Sequence, residues 1–322
     1  MRFRLPLTVV VAALSAASAC KKSEPRSQPS GTAPARDATA GTAGQAVEAG
    51  LDTSTPTPAT GPLAQPFFWE ISKGGKRTYL LGTIHLGVTS ERLPASVQSR
   101  FDSAKSFAME TDISDPSLLS AVMRDDGTTL DQELGADYWK KLEQVLGEAL
   151  AGGVKGLKAS AVATLVAIQG LPMTDPMDMA LMRKAKAANK KVVYLEKATD
   201  QQALLDKWMD VRALKAMLDD IENTRTRNRQ LLAVYEAGDE QRLVALGEDK
   251  ASWQAMGRSE QELAQAMEEL LFARNRAWVP AIEALHGKDA FIAVGAMHLV
   301  GSKSVIELLR ARGFEVNRVT GP

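Results

Sequence analysis

Six short apolar runs, set between much longer stretches of helical spacing, constrain this chain more than any other feature. The first two form a hairpin signal: Phe67-Phe68-Trp69-Glu70-Ile71, then Lys73-Gly74-Gly75-Lys76, then Arg77-Thr78-Tyr79-Leu80-Leu81. The other four are Ser106–Met109, Lys191–Leu195, Ala290–Val294 and Glu315–Val319. Helical patterns run over Ser160–Gln169, Pro176–Asn189 and Thr199–Asp210. A helix-rich stretch from Val211 to Leu285 carries no strand signal and is expected to form a helical subdomain against one side. Strands alternating with helices predict an α/β fold, a central mixed and largely parallel sheet covered by helices. Cys20 is the sole cysteine, so no internal disulfide can brace the fold and its core must hold it.

The chain divides into three parts. Residues 1–20 read as a secretory signal: Arg2 and Arg4 precede an apolar run from Leu5 to Leu14, and small residues follow through Ala19. That run is too short to span a bilayer, which takes about 20 residues. No later stretch is long and apolar enough to span, so the remainder is expected to be translocated whole. Ala17-Ser18-Ala19 suits an ordinary cleavage site, which would leave Cys20 a free thiol. It also suits a lipobox with Ala17 in place of the usual Leu, in which case Cys20 is acylated and anchors the protein to a membrane. Lys21 after the anchor then points to the outer membrane, with the protein facing the periplasm.

Residues 21–65, rich in Ala, Thr, Ser, Pro and Gly, read as a disordered tether with a reach on the order of 35–40 Å. Residues 66–322 are expected to be one folded domain. Basic and acidic residues balance at 39 each, leaving no basic field of the kind that nucleic-acid binding needs.

Polar residues end four of the strands. Leu80-Leu81-Gly82-Thr83-Ile84 runs into His85, Phe107-Ala108-Met109 into Glu110, Val193-Tyr194-Leu195 into Glu196, and Val294-Gly295-Ala296-Met297 into His298. Ligands of open α/β sheets bind beyond the carboxyl ends of strands, so parallel neighbours would bring these four side chains to one pocket. Both histidines follow a Gly-x-x-His-Leu step, and the glycine permits a sharp turn or a close approach. Two imidazoles and two carboxylates suit a divalent ion such as manganese, cobalt, zinc or iron, with a spare glutamate to take a proton. The bland alternative is a pair of hydrogen-bonded strand-end histidines, with Glu110 and Glu196 in solvated loops.

Arg274 lies on the inward stripe of Leu263, Met267, Leu270, Leu271, Trp278, Ile282 and Leu285, so it must find an anionic partner or snorkel outward. Asn275 is its neighbour. Asp178 either serves the site or favours the start of its helix. His286, before Gly287 at a helix end, reads as structural.

This arrangement resembles the TraB/GumN family. The resemblance rests on Trp69-Glu70-Ile71, on Tyr79 through Gly87, on Leu93-Pro94 and on the strand into Glu110. It continues through Lys191 to Glu196 with Gln201 or Gln202, Arg274-Asn275, and Val294 through Leu299, in the family's order. The family includes animal Tiki proteins, metal-dependent proteases with paired Gly-x-x-His motifs, and bacterial proteins that limit peptide pheromone signalling. The resemblance implies a fold related to erythromycin-esterase-like (EreA) and ChaN-like proteins. It also implies that His85, Glu110, Glu196 and His298 are the ligand or catalytic set, with Arg274 and Asn275 supporting. Lys197 stands where Thr is usual, and Met297 stands where a small residue often precedes the histidine and would narrow the pocket.

The leading expectation is a metal-dependent, peptidase-like hydrolase of the cell envelope that cleaves an amide bond in a peptide or protein. His85 and His298 would hold the metal, one glutamate would complete the coordination and the other would act as base. Capture of a peptide or a haem without turnover is the alternative, and a purely structural envelope lipoprotein a third.

Overall fold

A computed structural model describes residues 61–320. The expectations for the signal, for Cys20 and for most of the tether therefore lie outside the described residues. Near the start of the described residues, Leu63 is buried and donates its N–H to the Arg92 carbonyl at 2.8 Å.

The six strands are β1 (Phe68–Lys73), β2 (Lys76–Thr83), β3 (Ser106–Met109), β4 (Lys191–Tyr194), β5 (Ala290–Gly295) and β6 (Glu315–Arg318), in one sheet of order β4-β3-β5-β2-β1-β6. The four strands β4, β3, β5 and β2 run parallel, whereas β1 pairs antiparallel with β2 and β6. The hairpin closes because Gly74 and Gly75 both adopt positive φ, +60° and +72°, the conformation a two-residue primed turn demands. β3 is buried at every residue and β5 at all but its last, as their unbroken apolar sequences require of strands covered on both faces. The edge strands instead expose Lys191 and Glu315, charges that discourage pairing with another chain.

Helices Ala95–Ser103, Met177–Ala187, Ala273–Leu285 and Val305–Ala311 pack apolar faces into the sheet's core. Phe101 meets Phe107 and Phe291 edge-on, with centroids 5.6 and 5.4 Å apart. Such a ring pair adds about 0.5–1.5 kcal/mol to the area it buries.

A second apolar core forms away from the sheet, and its membership corrects the expected subdomain. It is built from Val122, Leu130, Leu142, Val162, Val166, Leu214 and Leu218, among others. Only the start of the 211–285 stretch joins it. Leu232, Val234, Tyr235, Leu243, Trp278, Val279 and Ile282 return to the sheet core. The reason is reach: the long helix Ile221–Ala237 leaves the second core at Ile221 and delivers Tyr235 beneath β2, where its hydroxyl donates to the Gly82 carbonyl at 2.8 Å.

Candidate functional site

Sheet register decides what meets at the strand ends. Thr83 pairs with Gly295 across β2 and β5, while Met109 pairs with Ala293 on β5 and with Tyr194 on β4. His85, Glu110, Glu196 and His298 each follow within a few residues, all at the carboxyl edge of four parallel neighbours.

The paired glycines serve close approach, and neither needs a positive φ. A Cβ on Gly82 would sit 2.9 Å from the Cα of Ala296, inside the second Gly-x-x-His segment, so the two segments can touch only with glycine there. A Cβ on Gly295 would sit 3.2 Å from Glu110 Oε1. Gly295 N–H donates to that same oxygen at 2.7 Å. The strand turns away at the trailing glycines, Gly87 at φ +95° and Gly301 at φ +85°.

Arg274 is the hub. Its Nη2 donates to Glu110 Oε2 at 2.8 Å and to Glu196 Oε1 at 2.6 Å, and its Nε donates to Glu196 Oε2 at 3.0 Å. Nη1 donates to the Leu270 carbonyl at 2.8 Å and faces His298 Nε2 at 3.3 Å. The side chains of Arg274, Glu110 and Glu196 are only 11–14% exposed, so the guanidinium is anchored inward by an acidic pair and does not snorkel. A π-turn, Glu268–Phe272, immediately precedes it and contains Leu270. Such turns recur at functional sites because the extra residue re-aims the helix that follows.

The tautomer of His298 follows from its neighbours. Asn275 Nδ2 donates to the Lys303 carbonyl at 2.9 Å, which leaves Oδ1, an acceptor, facing His298 Nδ1 at 2.7 Å. Nδ1 therefore carries the proton and Nε2 presents its lone pair, accepting from Arg274. The ring is buried against Trp278, with centroids 4.4 Å apart. Burial lowers its pKa to about 4, and Arg274 and His85 add to the fall against the pull of Glu110.

His85 shares the mouth but not the contacts. Its side chain is 64% exposed, and Nδ1 meets Asp178 Oδ2 at 3.1 Å. Asp178, in the first turn of Met177–Ala187, also accepts from Thr83 Oγ1 at 2.6 Å. Crowding at the site lowers the imidazole's pKa, but the hydrogen bond and charge of Asp178, with Glu110 beyond, outweigh that and raise it to about 9. Water reaching the exposed ring screens part of this field.

The two glutamates differ. Burial raises Glu110, but His298, Arg274, His85 and the Gly295 N–H pull it down to about 2. Arg274 touches both Glu110 and His298, and its charge settles that pair as carboxylate plus neutral imidazole. Glu196 is raised, by burial first, with Glu110 also raising it against the hydrogen bonds of Arg274 and Trp278.

Contact thus joins Glu110, Glu196, Arg274, Asn275 and His298, while His85 is held by Asp178 and reaches them only through its charge. Three contributors were not settled by the sequence reading of the site. Asp178 looked equally like a helix-start residue, Trp278 like plain core, and Gln201 was not separable from Gln202. Gln201 donates to Glu110 Oε2 at 3.1 Å, whereas Gln202 turns to Ser160 and Asp206. Trp278 Nε1 donates to Glu196 Oε2 at 3.3 Å. Met297 packs its terminal methyl against Gly247. His286 is structural as expected, bonded to Thr78 and to the Lys73 carbonyl. A cavity of about 800 Å³ lies elsewhere, lined by Met217, Arg227, Trp253 and Met256 among others; it shares no residue with this cluster.

For a divalent ion, the donors are right in kind, and both imidazoles are held at Nδ1 with Nε2 presented, as ligand histidines usually are. Among the described residues, however, no group of three or more His, Cys, Asp or Glu side chains is gathered tightly enough to hold a metal. What stands among the donors is the Arg274 guanidinium.

The fold and site define a class: an α/β protein with paired Gly-x-x-His segments and two glutamates at the mouth of a largely parallel sheet. The TraB/PrgY/gumN family profile matches residues 67–318, and the chain belongs to that family. Metalloprotease TIKI1 of Danio rerio is 25% identical over 313 residues, a match covering 78% of this chain. The chain spans about 62% of that relative's length. No solved structure matches the chain.

Proposed function

We propose that the chain is a metal-dependent hydrolase that cleaves amide bonds in peptides. The observation that carries this reading is the gathering of Glu110, Glu196, Arg274 and His298 by direct contact at the strand mouths, with His85 beside them. The donor chemistry supports it, as does the name of the fish relative. His85 and His298 would hold a divalent ion (manganese, cobalt or zinc) through Nε2, with Glu110 completing the set. When bound, that ion supplies Lewis-acid polarisation of a carbonyl.

The chain's own residues do the rest. Asp178 and Asn275 fix the two imidazoles in the tautomer that leaves Nε2 available. Glu196 takes a proton at its carboxylate from the attacking water and returns it to the leaving amine, a role suited to a carboxyl raised by its surroundings. Trp278 Nε1 orients that carboxylate.

Metal analysis of purified protein, together with digestion of peptide pools under added manganese, cobalt or zinc, tests the proposal. Stoichiometric metal and cleavage, both lost in His85→Ala and His298→Ala, support it. Metal-independent cleavage, or metal retained in both variants, contradicts it. A second reading, peptide capture without turnover, draws on Arg274 already neutralising both carboxylates. It predicts peptide binding with no cleavage under any metal.

We further propose that the domain is exported and tethered by acylated Cys20 to the outer membrane, facing the periplasm. Metabolic labelling with a fatty-acid analogue, lost in Cys20→Ala, is the expected result. Unlabelled wild-type protein in the soluble fraction would contradict it.

A further inference from the structure

Resting on the metal reading above, we infer that Arg274 is an internal counter-cation that competes with the divalent ion for one set of ligands. A single guanidinium contacts two of the three proposed ligands, Glu110 Oε2 and the lone pair of His298 Nε2, and both oxygens of Glu196, the proposed base. Two carboxylates this close and this buried repel each other unless a cation lies between them. The fork of Arg274 supplies that cation in the shape a carboxylate pair prefers.

An ion entering the same place would put a double charge beside a guanidinium and strip it of its acceptors. Loading therefore requires Arg274 to give way. Two contacts that involve neither glutamate would hold it as it turns aside. Its Nη1 already bonds the Leu270 carbonyl inside the π-turn, and its plane lies over the Trp278 ring, with Cζ 4.8 Å from the centroid. A guanidinium released by the glutamates keeps both supports. In this arrangement Arg274 is a positioning residue: it holds Glu110 and Glu196 apart from solvent and in register, and sets how readily the site takes a metal.

The prediction concerns binding, separately from turnover. Manganese(II) affinity, measured by titration calorimetry on the purified chain, should rise from wild type to Arg274→Lys to Arg274→Gln. The last step should exceed wild type by about tenfold or more, since a repelling charge a few ångströms away is removed. Arg274→Lys keeps the charge and loses the fork, so it remains folded if the glutamates need only a cation between them. In Arg274→Gly, guanidinium chloride at about 10 mM, roughly a hundredth or less of the molar concentrations that denature folded domains, should weaken manganese binding by refilling the vacated place, while leaving wild type unaffected.

A rising order with guanidinium competition supports the inference. Wild type binding manganese as tightly as both variants, or more tightly, overturns it while leaving the hydrolase reading intact. Manganese bound in the predicted order with no peptide cleaved overturns the hydrolase reading and leaves this one standing. No binding in any form overturns both.

Discussion

His85 and His298 leave neighbouring parallel strands by the same Gly-x-x-His step and reach opposite electrostatic states. His298 ends buried, its Nδ1 proton given to a carboxamide and its Nε2 turned to a guanidinium, and its pKa falls to about 4. His85 ends 64% exposed beside the Asp178 carboxylate, and its pKa rises to about 9. The motif fixes where each ring stands, because Gly82 and Gly295 let the segments and Glu110 come close. The partner at Nδ1 and the neighbouring charges fix what each ring is. One arm is a buried, neutral ring within the acidic hub; the other faces solvent and would have to shed a proton to bind the proposed metal.

The contrast breaks most severely at the hub. Arg274→Ala should cost about 3–5 kcal/mol in urea denaturation, because it leaves two buried carboxylates unpaired. A loss under about 1 kcal/mol would mean the pair is solvated and the buried arm is not buried in any energetic sense. Gly82→Ala should follow at about 1–3 kcal/mol, since a Cβ 2.9 Å from Ala296 Cα forces backbone to move.

The histidines themselves sharpen the comparison. His298→Ala strands Asn275 Oδ1 in the interior and should cost about 1–3 kcal/mol. His85→Ala, at an exposed ring, should stay within about 0.5 kcal/mol. Equal losses would erase the distinction between the arms.

Acid separates them next. His298 has a folded pKa below the ordinary 6.5, so the stability it contributes is present above 6.5 and is lost as pH falls toward 4. His85 has a raised folded pKa, so its contribution is present below 6.5 and is lost as pH rises toward 9, a small effect at so exposed a ring. Imidazole proton resonances of metal-free protein should show one ring titrating far below 6 and another well above 7. Two rings titrating together near 6.5 would remove the electrostatic basis of the contrast.

The sequence made the scaffold legible where local chemistry decides it. All six strands stood out as short apolar runs, and the Gly74-Gly75 turn announced its hairpin through the residue that adopts positive φ most readily. The four strand-end residues were legible too, since parallel order carries them to one edge. Arg274 was half legible: its place on an apolar stripe demanded an anion, but which anion depended on β3 and β4 lying side by side. Asp178 was left between a site role and a helix-start role, because its contact with His85 exists only after Met177–Ala187 docks against the end of β2. The short helices between 117 and 153 went unread for a related reason. Gly135 and Gly147 each end one helix and begin the next, and these breaks divide the segment into short pieces, although Ala136–Leu146 sets Tyr138, Trp139, Leu142, Val145 and Leu146 on one face against the second core.

The central claim is that both arms serve one cation site within the acidic hub. Cobalt-soaked crystals measured at the cobalt absorption edge test it most directly. One anomalous peak with Nε2 of His85 and Nε2 of His298 both about 2.0–2.2 Å away, and Arg274 withdrawn from Glu110, is the predicted result. A peak bound by one histidine alone, or cobalt absent while Arg274 keeps its grip on both glutamates, would contradict it.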